Sequence, residues 1–235
     1  GVTEGNIGSA RIIKMLDVKD DHLVVEEKGI YSIENFLMAR RLMYWQVYLH
    51  KASVAYERML IAALLRAKEL AAKGENLFAS PALRFFLYND VDRTRFYDDP
   101  ACLENFIRLD DNDIWTSLKV WCGHPDKVLS TLSTGMVDRR LFKVEISTEP
   151  ATEERKQELT AQIAAALDVT PAEAAWFVSV PRIEKNMYNP ADDSIDILYK
   201  DGTTKNIAEA SDMLNIQLLS KKVKKYYLCY LRLHR

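Results

Sequence analysis

The sequence has no long apolar run, few cysteines and no excess of one charge. No stretch approaches the roughly 20 apolar residues that cross a bilayer, and the N-terminus has no basic region followed by an apolar one. The three cysteines, Cys102, Cys122 and Cys229, are widely spaced, which predicts free thiols in a reducing, cytoplasmic compartment. With 32 basic and 34 acidic residues, the chain gives no support for a nucleic-acid or membrane-surface protein.

Motifs of a self-contained catalytic centre are also missing. None of the four histidines lies in an HExxH pattern, none pairs with cysteine at zinc-ligand spacing, and no His-Asp dipeptide occurs. There is no P-loop, no GxGxxG and no GxSxG. The acidic residues Asp90, Asp92, Asp98 and Asp99 lack the EF-hand pattern, so we interpret them as a solvated loop. We therefore assign no catalytic residue and no metal ligand to this chain.

What the sequence does contain is typical of a globular protein. It has 235 residues, of which 48% are apolar and 28% charged, a length that suits one large domain or two small ones. Residues 32–73 include neither glycine nor proline and are rich in good helix formers. This stretch predicts one very long helix, or two stacked end to end, with Ser32 as the N-cap and Gly74 closing it.

The sequence pattern changes from mainly helical to mixed helix and strand near residue 135. Shorter helical patterns fill residues 77–135, including a capped start at Asp110, and Ser133-Thr134-Gly135 suggests a boundary. Beyond it, residues 141–146, 176–180 and 226–230 predict strands, residues 153–167 a helix, and Asp201-Gly202 a hairpin turn. The predicted fold class is mainly α, formed by residues 1–135, followed by a small α+β region at residues 136–235.

The C-terminal tail, residues 220–235, carries six basic residues and no acid. Such a run suits contact with phosphate or nucleic acid. It also suits the flank of an edge strand, which positive charges protect from aggregation. We prefer the second interpretation and expect residues 226–230 to form an edge strand.

One helical segment carries a chemically distinctive stripe. At about 100° per residue, Arg40, Tyr44, Tyr48 and Lys51 fall within about 80° of one helix face. Arginine and lysine pair with phosphate oxygens, and tyrosine offers a ring and a hydroxyl to a sugar. The stripe therefore predicts a phosphorylated ligand such as a nucleotide. The alternative is a core helix whose arginine pairs with a carboxylate and whose tyrosines hydrogen-bond internally.

Residues 30–51, IYSIENFLMARRLMYWQVYLHK, resemble the corresponding helix of HD-superfamily phosphohydrolases. The group they resemble most is the bacterial proteins related to deoxynucleoside triphosphate triphosphohydrolases, to which the mammalian sterile-alpha-motif-and-HD-domain enzyme is also related. Residues 5–14, 113–118 and 138–143 fit the same family in order. The resemblance therefore spans residues 1 to about 145, and the remaining tail is less specifically similar.

This resemblance implies a part of a longer enzyme. In the family, a His, a His-Asp pair and a distant Asp hold the catalytic metal, and all of them precede the region represented here. The parent is then expected to use a divalent metal (Mn, Mg, Fe or Zn) to hydrolyse dNTPs to deoxynucleoside and triphosphate, whereas this chain alone is inactive. The missing initiator Met is consistent with this expectation. The alternative is a non-catalytic regulatory or assembly module that binds a nucleotide or a protein partner.

The resemblance also implies roles for individual residues. Arg40 matches a position that contacts substrate phosphates, and Tyr48 one that packs against deoxyribose. Tyr44 stands where the mammalian enzyme has a histidine near the phosphates. Further basic positions match the activator-nucleotide site between subunits of a homo-oligomer, namely Arg11, Lys28, His50, Lys51, Arg139 and Lys143. The alternative for this second group is a set of solvated charges.

Overall fold

The computed structural model describes residues 7–185, 188, 194–212 and 223–233. The α-helices are α1 (Ser9–Lys14), α2 (Ile30–Met43), α3 (Lys51–Ala72), α4 (Pro81–Tyr88), α5 (Arg93–Asp98), α6 (Pro100–Phe106), α7 (Asp111–Trp121), α8 (Lys127–Val137), α9 (Glu153–Leu167), α10 (Pro171–Ala174) and α11 (Ile207–Ala210). The strands are β1 (Leu16–Lys19), β2 (His22–Glu26), β3 (Lys143–Ser147), β4 (Val178–Ser179), β5 (Arg182–Lys185), β6 (Asp196–Leu198), β7 (Thr204–Asn206) and β8 (Val223–Tyr230). The predicted class, mainly α with an α+β part, is confirmed. Within the described residues, no helix is both long and apolar enough to cross a membrane.

The chain forms two compact units, and each is built from two segments. The first unit comprises Gly1–Ser53 and Arg182–Lys225, and the second comprises Val54–Pro181 and Tyr226–Arg235. This division differs from the predicted boundary at residue 135. Ser133 and Gly135 lie inside α8 rather than in a linker. A Cβ on Gly135 would come within 2.7 Å of Met59 Cε, so this glycine permits close packing and does not end an element.

A four-stranded sheet in the order β1-β2-β6-β7 organises the first unit. β1 and β2 form a hairpin whose turn residues, Asp20 and Asp21, both have positive φ, as a tight hairpin turn requires. β2 and β6 are parallel, with Val25 opposite Ile197. Helix α2 packs Ile33 and Leu37 against this sheet. The parallel pairing joins distant parts of the sequence and explains why the units do not follow chain order.

The glycine-free stretch forms two helices rather than one. Helix α2 begins at Ile30 after Gly29, without a side-chain cap, so the predicted N-cap Ser32 lies inside the helix and that prediction is wrong. Helix α3 begins only at Lys51. Its end follows the prediction, since Gly74 has φ +90°. There Glu75 N–H donates to Leu70 O at 3.0 Å, which satisfies a terminal carbonyl of the helix.

Capped helices and a small sheet form the second unit. Asp110 accepts hydrogen bonds from the N–H groups of Asn112 and Asp113, so the predicted capped start of α7 is confirmed. Trp121 is 1% exposed and lies in the core. A buried ion pair lies among these helices, where Arg66 Nε and Nη2 donate to Asp126 Oδ1 and Oδ2 at 3.2 and 2.5 Å.

The sheet of the second unit corrects the prediction for the C-terminal tail. Its order is β3-β8-β4, so β8 is a central strand and not an edge strand. Cys229 pairs with Val144 on one side and with Ser179 on the other. The last four residues of β8 are all buried, and such a continuous buried run is typical of a strand covered on both faces. The basic residues near it therefore do not mark an edge.

Candidate ligand-binding helix face

The segment that follows α2 departs from regular helical geometry. Tyr44–Tyr48 form a π-helical turn, in which Leu49 N–H donates to Tyr44 O at 2.8 Å across five residues. π-Turns are rare and occur frequently at functional sites. The turn widens the helix at the point where the sequence places its two stripe tyrosines. Regular helical spacing does not predict this widening.

Arg40, Tyr44 and Tyr48 follow one another at four-residue intervals through the end of α2 and the π-turn. Arg40 is exposed in the last turn of α2, and its guanidinium makes no hydrogen bond or ion pair with any described residue. The rings of Tyr44 and Tyr48 have centroids 5.3 Å apart and are inclined by 54°. Tyr48 is 60% exposed, whereas Tyr44 is half-buried. An exposed guanidinium therefore lies about one helical turn from a tilted pair of rings, and a core role does not describe Arg40 or Tyr48.

A residue distant in sequence adds a second cation to this segment. Lys225 Nζ lies 3.9 Å from the centroid of the Trp45 ring, close enough for a cation–π interaction. Trp45 belongs to the π-turn, and Lys225 to β8. Helical spacing cannot predict this contact, because it depends on where β8 lies in the fold.

His50 has a structural role that sequence reasoning missed. Its Nδ1 accepts a hydrogen bond from the backbone N–H of Ala52 at 3.2 Å, and His50 directly precedes α3. The imidazole thereby satisfies one of the free N–H groups of the first helical turn, as an N-cap does. Ser53 Oγ donates to Val47 O at 3.0 Å and ties the same junction together. The regular helix that aligned Lys51 with Arg40 does not continue through this junction.

The remaining predicted activator residues are divided between the two units. Arg11 and Lys28 lie in the first unit, where Lys28 pairs with Glu26 at 2.9 Å. Arg139 and Lys143 lie in the second unit, and Arg139 has φ +57° just after α8. All four side chains are exposed. Their roles at an activator site stay predictions.

Lys143 also lines a cleft of about 420 Å³ in the second unit. Its ammonium lies 3.2 Å from Glu145 Oε1 and 5.6 Å from the centroid of the Tyr230 ring. Tyr230 and Glu145 raise the pKa of Lys143, while the hydrogen bond from the Tyr230 hydroxyl lowers the pKa of Glu145. The cleft therefore presents a firmly charged lysine. The other residues lining it include Arg155, Arg232, Leu159 and Ile163.

Comparison with known proteins identifies a region that includes this helix face. Residues 7–80 match the model of a family described as the HD associated region. The matched range contains Arg40, Tyr44 and Tyr48. The match and the relatives described next point to an HD-type protein, so the predicted resemblance is confirmed at that level.

Three relatives extend this comparison. A phosphohydrolase from Bacteroides thetaiotaomicron VPI-5482 is 77% identical over 99% of this chain, with a TM-score of 0.93. A hypothetical protein from Aquifex aeolicus is 26% identical over 99% of the chain, with a TM-score of 0.58. The uncharacterized protein YwfO of Bacillus subtilis (strain 168) is 29% identical over 143 residues, which is 61% of the chain. The present chain spans 58%, 50% and 31% of these relatives, respectively.

Proposed function

We propose that this chain forms part of a metal-dependent HD-type phosphohydrolase that converts dNTPs to deoxynucleoside and triphosphate. The observation that carries the proposal is the exposed face of Arg40, Tyr44 and Tyr48 inside the region that matches the HD-associated family. The high identity to a protein described as a phosphohydrolase supports the hydrolase class. The dNTP specificity rests on the resemblance of residues 30–51.

In this proposal the chain supplies one wall of the substrate site. The Arg40 guanidinium donates hydrogen bonds to phosphate oxygens, for which its planar fork is well suited. Having no ion-pair partner among the described residues, it needs to break no existing pair in order to bind. The Tyr48 ring packs against the deoxyribose, where a close fit excludes a 2′-hydroxyl. Tyr44 supports the Tyr48 ring through their 5.3 Å contact.

The divalent metal of the proposed reaction is not assigned to residues of this chain. Within the described ranges, no three His, Cys, Asp or Glu side chains converge as a metal site would require. We propose that the contribution of this chain is limited to binding and orienting the ligand. We further propose that Arg11, Lys28, His50, Lys51, Arg139 and Lys143 contact an activator nucleotide in a homo-oligomer.

Nucleotide turnover by a longer polypeptide that carries this chain tests the proposal. Arg40→Ala should lower dNTP turnover by about 10- to 100-fold, because a hydrogen bond to a charged group contributes about 1.5–3 kcal/mol. Arg41→Ala is the matched control, since Arg41 is adjacent on α2 and lies about 100° around the helix. Equal turnover in both variants would remove Arg40 from the site.

The isolated 235-residue chain provides a second arm of the test. We expect it to bind a dNTP in calorimetry through Arg40 and to show no hydrolysis with Mn²⁺ or Mg²⁺. Hydrolysis by the isolated chain would contradict the proposal that this chain binds the nucleotide without supplying the catalytic metal. Binding without hydrolysis in the longer polypeptide as well would favour a non-catalytic regulatory module.

A further inference from the structure

Among the described strands, β1 is an outer strand of the first unit's sheet. β1 pairs with β2 alone among the described strands. Glu26 N–H donates to Met15 O at 2.8 Å. Because hydrogen-bonded and non-hydrogen-bonded pairs alternate in an antiparallel ladder, Asp17 and Lys19 also bond to β2, whereas Leu16 and Val18 direct their backbone groups outward. The outward N–H of Val18 donates to the carboxylate of its own neighbour, Asp17, at 2.7 Å.

One face of this hairpin is apolar and exposed. Val18 is 64% exposed and its cross-strand partner Leu23 is 65% exposed. Leu16 lies on the same face of β1, since side chains alternate along a strand, and is 37% exposed. Edge strands usually carry charges or bulges that discourage pairing. This apolar edge lacks such protection on the face that holds Val18.

The opposite face of β1 has a self-complementary charge order. Asp17 and Lys19 flank Val18 and point away from the apolar face. If a second β1 is placed antiparallel with Val18 opposite itself, Asp17 faces the partner's Lys19. The two-fold symmetry of such an arrangement repeats this pair, so one contact contains two opposite-charge cross-strand pairs. Pairing with a different protein would not require the charges of β1 to be complementary to those of a second β1.

We propose that a second copy of this chain docks on β1, with the two β1 strands antiparallel about a two-fold axis at Val18. The two four-stranded sheets then become one continuous sheet, in which the Val18 side chains of the two copies are cross-strand neighbours and Leu23 of each copy flanks its own Val18 on β2. The Val18 N–H moves from Asp17 to the partner's Val18 carbonyl, which releases the Asp17 carboxylate for the partner's Lys19. The Lys19 ammonium already donates to Gly202 O and has further N–H groups available for that carboxylate.

This inference deepens the oligomer contact of the proposed function and rests on it only for the expectation that the protein self-associates. It predicts where two copies meet, and its test uses no nucleotide. A loss of dNTP turnover would therefore leave it standing, and a monomeric chain would overturn it without changing the role proposed for Arg40.

Sedimentation equilibrium of the 235-residue chain tests the contact through charge reversal. D17K and K19D each place like charges opposite one another twice, so each should raise the dimer dissociation constant about tenfold or more. The double variant D17K/K19D restores opposite charges and should return the constant to within about threefold of the unmodified chain, which corresponds to less than about 1 kcal/mol. Far-UV circular dichroism confirms that each variant is folded.

Two further variants make the result specific to β1. V18K puts two ammonium groups on the symmetry axis and should abolish the dimer. L65K is the matched control, because Leu65 is also an exposed apolar residue (53% exposed) but lies on α3 in the second unit. A monomeric unmodified chain, a double variant as weak as the single variants, or a dimer that L65K disrupts and V18K does not would each overturn the proposal.

Discussion

Removing the buried guanidinium of Arg66 should destabilise the second unit strongly. The side chains of Arg66 and Asp126 are only 9% and 11% exposed, and they share two hydrogen bonds. Arg66→Met keeps most of the side-chain volume but leaves the Asp126 carboxylate buried without its cation. Breaking a buried pair from one side costs about 3–5 kcal/mol. Asp126 keeps the hydrogen bond from Leu129 N–H at 2.8 Å, so we expect the lower end, about 3 kcal/mol.

The assay is urea unfolding followed by tryptophan fluorescence. Three of the four tryptophans, Trp115, Trp121 and Trp176, lie in the second unit. Arg155→Met is the matched control, because Arg155 pairs with Glu158 at 2.6 Å while both side chains are 40–53% exposed. An exposed pair contributes about 1 kcal/mol or less. If Arg66→Met cost no more than Arg155→Met, burial would not set the strength of these ion pairs.

The same pair predicts a pH dependence of stability. Burial opposes ionisation of Asp126, but the hydrogen bonds from Arg66 and from Leu129 N–H outweigh it and hold the pKa of Asp126 below its ordinary value. Its contribution is therefore fully present above that ordinary value and is lost as the pH falls through the lowered pKa of the folded state. The stability difference between the unmodified chain and Arg66→Met should shrink in acid. A difference that grows in acid would refute the sign of this reasoning.

Three further predictions concern the first unit and its junctions. Gly29→Ala should lower the free energy of unfolding by about 1–3 kcal/mol through overpacking, because the added Cβ would lie 2.5 Å from Val25 Cγ1. Thermal unfolding measures this change. Gly8→Ala is the control, because the nearest atom to its added Cβ is 3.9 Å away. His50→Ala should cost about 1 kcal/mol through loss of the α3 cap, and His50→Asn should recover most of it in the same measurement. Gly74→Ala should cost about 1 kcal/mol in urea unfolding, because φ +90° suits glycine; no loss would mean that the helix end relaxes.

Local chemistry made several elements predictable from the sequence. Helix α9 spans residues 153–167 as predicted, with Thr152 capping its first turn. The predicted Asp201-Gly202 hairpin turn is present, and its glycine has φ +82°. Each of these depends on residues within about four positions of one another, which is the range that caps and turns use.

The features that the sequence did not predict depend on contacts between residues that are distant in the sequence. The parallel pairing of β2 with β6 assembles the first unit, and no local pattern marks it. The position of β8 between β3 and β4 reversed the interpretation of the basic tail. The sequence run Tyr227–Tyr230 contains no charged residue and is buried in the structure, as is typical of a central strand.

The candidate site was predictable in part for the same reason. Tyr44 and Tyr48 lie four residues apart in one helical segment, so helical spacing predicted that their rings share a face. Their role with Arg40 in one site stays a prediction. The π-turn, the cap at His50 and the contact of Lys225 with Trp45 were not predictable in this way. The first two depend on backbone hydrogen bonds that spacing does not encode, and the third on tertiary structure.

The parallel pairing of Val25 with Ile197 has a consequence during synthesis on the ribosome. The β1–β2 hairpin and α2 emerge long before β6, and at about 5–20 residues per second an interval of about 170 residues lasts about 10–30 seconds. During that time Ile33 and Leu37 of the nascent chain have no sheet of four strands to pack against. Val54–Pro181, which form most of the second unit, are synthesised before β6, so the first unit is the one that waits for its second segment. We therefore expect α2 to be the segment that a ribosome-bound chaperone finds exposed.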